Sequence, residues 1–221
     1  MQRHFDKDLE ELTEMLLRLG AMVEDAISQS IRALLERDTD LAEKVIAGDD
    51  DIDQMELEID ASTLALIAKM QPAAVDLRFL AAMMKVTPDL ERAADLAVDV
   101  CERVIELNRE PQLKPLIDIP QLARMSQEMV RQALDAFVRR DAVLAREVIA
   151  RDDEADALTE RSFRELLTYM LEDSKNISRA IRLTFIGKYF ERIADSATNI
   201  CEMVVYMVEG KVIKHAGSAG A

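Results

Sequence analysis

An all-α fold of two tandem, pseudo-symmetric three-helix bundles, six long antiparallel helices in all, is what this sequence predicts. Three observations carry that prediction. Apolar residues recur at helical spacing, helix breakers are confined to a few places, and the second half of the chain repeats the first. Six Gly, five Pro and 4% aromatics against 49% apolar residues describe a helix-rich chain with short connections. The apolar content is largely Leu, Ile, Val, Ala and Met, which pack well on helix faces. Trp is absent, so the predicted core is aliphatic.

In the first helix, Leu9, Leu12, Leu16, Leu19 and Val23 alternate steps of three and four, an amphipathic seam. Asp38 sits where the chain turns and is a candidate N-cap for a second helix over about 40–70, ending before Pro72. A third helix is predicted over about 73–108, with Pro88 inside it as a kink. Asn108–Pro120 contains three prolines, which a helix interior does not tolerate, and is read as the linker. The second half repeats the plan near 120–139, 142–172 and 177–209. Asp141 is its candidate cap and Gly210 its stop. Helices of ~30 residues joined by short turns pack as elongated antiparallel bundles. The expected domains are 1–110, a linker at 111–120, 121–212, and a flexible tail at 213–221.

The repeat is explicit. Arg37-Asp38-Thr39-Asp40-Leu41-Ala42-Glu43-Lys44-Val45-Ile46-Ala47 returns as Arg140-Asp141-Ala142-Val143-Leu144-Ala145-Arg146-Glu147-Val148-Ile149-Ala150, an offset of 103. Asp49, Asp50 and Asp53 return at that offset as Asp152, Asp153 and Asp156. Glu91-Arg92-Ala93-Ala94-Asp95 returns as Glu191-Arg192-Ile193-Ala194-Asp195 and Cys101-Glu102 as Cys201-Glu202, now at offset 100. Two ordered blocks on consecutive predicted helices argue for internal duplication. Lys188 stands where the first half has Pro88, so the halves differ there.

Charge narrows the function. A net charge of −15, with 28 basic against 43 acidic residues, disfavours nucleic acid and suits cations or a basic partner surface. The N-terminus has no apolar run that could serve as a signal peptide, and no stretch approaches the ~20 apolar residues that span a bilayer. Two cysteines are too few for a disulfide framework. Cytoplasm is the expected compartment.

The acids are patterned. Glu91, Asp95, Asp99 and Glu102 fall within roughly an 80° arc of one helix. Glu191, Asp195, Asn199 and Glu202 repeat the arrangement with one amide. On the preceding helix Asp49, Asp53, Glu56 and Asp60 follow a similar rhythm, echoed by Asp152 and Asp156. Like charges at i,i+4 repel by a few tenths of a kcal/mol, and a bound cation would reverse that sign. Carboxylates suit Mg²⁺, Mn²⁺, Ca²⁺ or iron, and bridging oxygens can hold more than one ion. The alternative is a solvated face: Ala93, Leu96, Val100, Val104 and Leu107 form the apolar stripe of the third helix, with the acids roughly opposite. Arg92 and Arg192 could then pair with Asp95 and Asp195. Spacing alone leaves both readings open.

Other chemistries find little footing. Cys101 and Cys201 lack CxxC or CxxH spacing and read as small, partly buried hydrophobes. His4 and His215 are the only histidines, and neither lies in the Glu-x-x-His pattern of di-iron helices. A histidine-based hydrolase triad lacks partners, and no Gly-rich phosphate loop follows a strand.

The segments Glu91–Asp95 and Glu191–Asp195 resemble the paired E-R-I-G-D signatures of the PhoU family. Gln71-Pro72-Ala73-Ala74-Val75-Asp76-Leu77-Arg78 resembles that family's Q-P-x-A-x-D-L-R segment, and Leu167–Asp173 and Asn199–Glu202 match its second half. The resemblance spans about residues 5–215. It implies two three-helix bundles and no enzymatic activity. It further implies a negative regulator of phosphate uptake and of the phosphate-starvation response. Such a regulator connects the ATPase subunit of a phosphate ABC transporter to a sensor histidine kinase and reaches the membrane only through them. A homo-oligomer, specifically a homodimer, is expected. Some members of that family bind multinuclear metal clusters through E/D-x-x-x-D pairs. These map to Glu91/Asp95, Glu191/Asp195, Asp49/Asp53 and Asp152/Asp156, with Asp99 added from the stripe and iron, Mn or Mg as the ion. Ala94 and Ala194 replace the family's usual glycine, and Asn199 against Asp99 makes the second stripe weaker by one charge. The alternative reading is a metal-dependent enzyme or metal store built on the same carboxylates.

Overall fold

The apolar seams and the breakers translate into eight α-helices among the residues described by the computed structural model. That model covers residues 2–213, with side chains from Phe5 onward. In order they are α1 (Gln2–Glu36), α2 (Thr39–Ala47), α3 (Asp49–Met70), α4 (Ala74–Asn108), α5 (Asp118–Arg139), α6 (Ala142–Ile149), α7 (Asp152–Glu172) and α8 (Ile177–Glu209). A 3₁₀ turn at Ser174–Asn176 joins the last two. Residues 214–221, with His215 and most of the expected tail, lie outside the described residues, as does the side chain of His4.

The all-α duplicated plan holds, with one correction. The arms expected as single helices over 40–70 and 142–172 are each divided near their start, at Gly48 and at Ala150-Arg151. A run of acids opens the new helix in both cases: Asp49, Asp50 and Asp51 in α3, and Asp152, Asp153 and Glu154 in α7. Carboxylates are favoured at the positive end of a helix dipole, so these sequences stabilise a fresh N-terminus rather than a continuous helix.

The repeated Arg-Asp dipeptides form the same turn twice. Arg37 and Arg140 adopt left-handed backbone, each with φ of 55°. Asp38 N–H then donates to Ala33 O at 3.0 Å and Asp141 N–H to Ala136 O at 2.9 Å, closing α1 and α5. The same aspartates cap the succeeding helices: the Asp38 carboxylate accepts from Leu41 N, and Asp141 from Val143 N and Leu144 N. Gly210, φ 68°, ends α8 where a stop was expected. α4 runs unbroken through Pro88, whose ring faces solvent.

α4 and α8 lie antiparallel against each other at the centre, with α1–α3 around α4 and α5–α7 around α8. Asn199 Nδ2 donates to Asp89 at 3.3 Å, Arg78 Nε to Met207 O at 3.4 Å, and Arg182 reaches Glu106 at 2.7 Å and Glu110 at 2.8 Å. These pairs fix the register. Ala93, Leu96 and Val100 follow Asp89 at helical spacing, and Ile193, Ser196 and Ile200 occupy the matching positions of α8; all six are buried. The stripe read from sequence as a bundle core therefore faces the other half. Ala94 and Ala194, each one residue and about 100° round the helix from the stripe, are fully buried too. α1 also packs on α5, where a Cβ at Gly20 would stand 2.4 Å from Leu134 Cδ1.

The linker is tied down from both sides. Arg37 donates to the carbonyls of Leu107 and Glu110, Arg179 to that of Pro111, and buried Lys114 pairs with Glu165.

Candidate metal centres and their surroundings

Two carboxylate clusters form where α3 meets α4 and where α7 meets α8. Each begins at the acidic N-terminus that a helix break creates. In the first, Asp49, Asp53 and Glu56 of α3 stand with Glu91 and Asp95 of α4. Burial, followed by repulsion from Asp95, Asp53 and Asp50, pushes the Asp49 carboxyl up to about 6. Glu91 rises to about 7, first through burial, then through Asp95, Glu56 and Asp53; it also shares a hydrogen bond with Asp95. Glu56 is raised by burial and by its neighbours Asp60 and Asp53. Among the described residues no lysine or arginine offsets Asp49 or Glu91. Asp53 Oδ1 and Asp60 Oδ1 are buried without a hydrogen-bond partner, an arrangement that costs free energy unless something pairs with them.

The second cluster holds Asp152 and Asp156 of α7 with Glu191 and Asp195 of α8. Burial pushes Asp195 up to about 6, followed by Asp152, Glu191 and Asp156; Lys188 acts in the opposite sense. Lys188 Nζ lies 2.6 Å from Glu191, and Thr198 Oγ1 donates to Asp152 at 3.4 Å. Thr159 and Phe163 replace Glu56 and Asp60 of the first half. This cluster is smaller and already carries an internal cation.

Eight of the nine candidate ligands fall into these two clusters. Asp99 does not. It lies toward the α8 side of α4, raised by burial, by Glu102 and less by Asp95, with Arg103 and Arg192 offsetting, and its charge also reaches Tyr189. Its counterpart Asn199 is likewise directed between the halves, onto Asp89, whose carboxyl is raised by burial. Lys188 and Thr159, rather than Asn199, set the second cluster apart from the first in charge and donors. Glu56 belongs with the candidates, and its place three residues after Asp53 was the available signal. Arg92 and Arg192 form no ion pair with Asp95 or Asp195 among the described residues; they act on Asp89 and Asp99 instead.

Oxygen-only donors, uncompensated charge and the orphaned Asp53 oxygen match the first cluster to a hard cation. Among the described residues, however, no three His, Cys, Asp or Glu side chains already converge to hold an ion. Binding would require the carboxylates to turn toward one another. Cys101 and Cys201 are fully buried, and burial pushes both thiols up to about 12, so they behave as the small hydrophobes expected. No helix among the described residues is long and apolar enough to cross a membrane.

Fold and site together define an all-α duplicated-bundle protein with a carboxylate face on each repeat. Comparison with known proteins makes the class specific. The family model of the PhoU domain matches twice, over residues 16–104 and 119–204. A phosphate-specific transport system accessory protein PhoU homolog of Aquifex aeolicus is 42% identical over 209 residues, covering 95% of each chain. The accessory protein PhoU of Escherichia coli K12 is 36% identical, covering 96% of this chain and 88% of its own. The crystal structure of PhoU from Pseudomonas aeruginosa superposes with a TM-score of 0.91 at 39% identity, covering 94% of this chain and all of that one. The phosphate transport system regulatory protein PhoU of Streptococcus pneumoniae gives 0.87 at 28% identity, over 95% and 99% of the two chains. The chain belongs to the PhoU family, and these relatives are named as accessory or regulatory proteins of phosphate transport.

Proposed function

We propose that this chain is the negative regulator of a phosphate-specific transport system. In this reading it docks on the transporter's ATPase subunit and on the phosphate sensor kinase, favouring the kinase's off state when phosphate is plentiful. The observation that carries the reading is family membership across both repeats, with relatives named as accessory proteins of phosphate-specific transport. The chain acts in the cytoplasm and meets the membrane only through these partners. Homodimerisation belongs to the same proposal and is read by light scattering.

The carboxylate clusters are proposed to take iron, Mn²⁺ or Mg²⁺, with Asp49, Asp53, Glu56, Glu91 and Asp95 as the stronger set. The ion would supply positive charge that offsets the repulsion between α3 and α4. Support comes from the donor chemistry and from the buried, unpartnered oxygen of Asp53.

Pull-down with the purified cytoplasmic part of the cognate sensor kinase, and separately with the ATPase subunit, is the test. Direct association with either, independent of nucleotide turnover by this chain, is expected. Absence of association with both, with and without divalent metal, overturns the adaptor reading.

A further inference from the structure

The duplication supplies an internal control for surface chemistry, because matched positions in the two halves share one backbone plan. On α7, Phe163, Leu167 and Leu171 recur every four residues; on α8, Ile177, Ile181 and Phe185 do the same. All six are between 40% and 79% exposed. The helices are antiparallel and joined at 173–176, so the two rows run side by side. The matching residues of the first half are Asp60, Leu64, Ala68, Leu77, Ala81 and Lys85. Leu64 and Leu77 are exposed there too, at 53% and 43%, but Asp60, Ala68, Ala81 and Lys85 take the places of Phe163, Leu171, Ile181 and Phe185, so the fold itself does not require the continuous apolar surface of the second half. Together the six side chains expose roughly 500 Å², the scale at which an apolar patch marks an interaction site.

A niche opens between α7 and α8 beside Phe163, the first member of the α7 row. Thr159, Ser162, Phe163, Thr184, Gly187 and Lys188 line a cavity of about 210 Å³. A Cβ at Gly187 would meet nothing within 4 Å, so the absent side chain leaves the floor open. This is room for one leucine or aromatic anchor from a partner. Beyond the niche the groove turns acidic, with Asp152, Asp156, Glu191 and Asp195 at its far end and Lys188, paired with Glu191, offsetting part of that charge. From Asp156 to Leu171 the groove runs ~22 Å, at ~1.5 Å per helical residue.

We propose that the α7–α8 groove receives an amphipathic helix of a partner protein, with apolar anchors at i,i+4 spacing and basic residues toward one end. Charge complementarity selects this occupant: the groove is apolar along one stretch and carboxylate-lined at the other, on a chain of net charge −15. A second copy seated here would have to bring a basic patch to the carboxylate end, from a chain with 28 basic against 43 acidic residues. The proposal rests on the adaptor reading but is tested without kinase or ATPase, so its failure and that of the adaptor reading are separable.

The probe is a fluorescent model peptide of about 18 residues, five helical turns, with Leu on one face and Lys on the other, compared with a scrambled peptide of identical composition. Binding to the full chain is followed by anisotropy. At least ten-fold tighter binding of the ordered peptide is expected, weakening as salt rises. The double variant Leu167→Glu, Ile181→Glu should abolish that preference, with its circular dichroism unchanged. The double variant Leu57→Glu, Leu64→Glu, at exposed positions of α3, adds the same charge and should leave the preference intact. Equal binding of the two peptides, or an unchanged preference in the double variant, overturns the proposal. So does a dimer in light scattering that becomes monomeric in the double variant, because the groove would then belong to a second copy.

Discussion

Glu91 sits where three other carboxylates press on it and no cation answers. Its folded value of about 7 lies above the ordinary 4.5, so the folded state holds this proton more tightly than the unfolded chain. Below the ordinary value both states are protonated and the group costs nothing. As pH rises toward 7 stability is lost, and above 7 the loss is complete. Glu91→Gln should therefore raise the melting temperature at pH 8 and leave it unchanged at pH 4. Allowing for solvent screening, the gain is on the order of 1 kcal/mol; a lower melting temperature at pH 8 would mean that the charge is stabilising. Metal gives a second test at this scale. A free ion at 100 times its dissociation constant stabilises by about 2.7 kcal/mol per site. Asp95→Asn should remove most of a Mn²⁺-induced shift in melting temperature, and Asp195→Asn much less, since Lys188 already serves the second cluster. Equal responses of both variants and the native chain, at fixed ionic strength, would reduce the clusters to solvated faces. Helical spacing made eight of the clustered acids legible in sequence. It could not place Asp99, because an arc of roughly 80° spans both the side facing α3 and the side facing α8.

The helices owe their ends to a few local residues. The Arg-Asp pairs at 37–38 and 140–141 reverse the chain and cap the next helix in one step, which is why they survive as the clearest block of the repeat. Asp141→Ala should cost ~1 kcal/mol, the usual loss for an aspartate cap, since its carboxylate serves both Val143 N and Leu144 N. Chemical denaturation measures it. An effect below a few tenths of a kcal/mol would mean that the left-handed Arg140 alone holds the turn. Caps, prolines and Gly210 were readable because they act within a few residues. The breaks at Gly48 and Ala150-Arg151 are hidden for a related reason: the apolar period runs on across them, and only the clustered acids disclose a second N-terminus.

At the scale of the whole chain, α4 and α8 are the shared spine. Seams at Ala93, Leu96 and Val100 and at Ile193 and Ile200 are buried against the opposite half, and Arg182 bridges to Glu106 and Glu110 across it. The boundaries 1–110 and 121–212 remain a proposal about independent folding, and fragments test it. Residues 1–110 and 116–221 should each be strongly helical in circular dichroism, and on mixing should associate one to one, covering the seam each exposes. Disordered spectra from both would show that neither half holds its core alone; failure to associate would place little free energy in the α4–α8 contact.

The sequence by itself determined what depends on short range and on pattern: helix content, the duplication, the caps, the linker and the spacing of the acids. Each of these arises from period and local hydrogen bonding, which act between residues near in sequence. Tertiary structure alone decided which side of α4 meets α8, which acids stand together, and that Lys188 rather than Asn199 distinguishes the second cluster. Those outcomes turn on how two helices separated by about a hundred residues are rotated against each other. A few tens of degrees in that rotation move a carboxylate from one neighbour to another without altering the period.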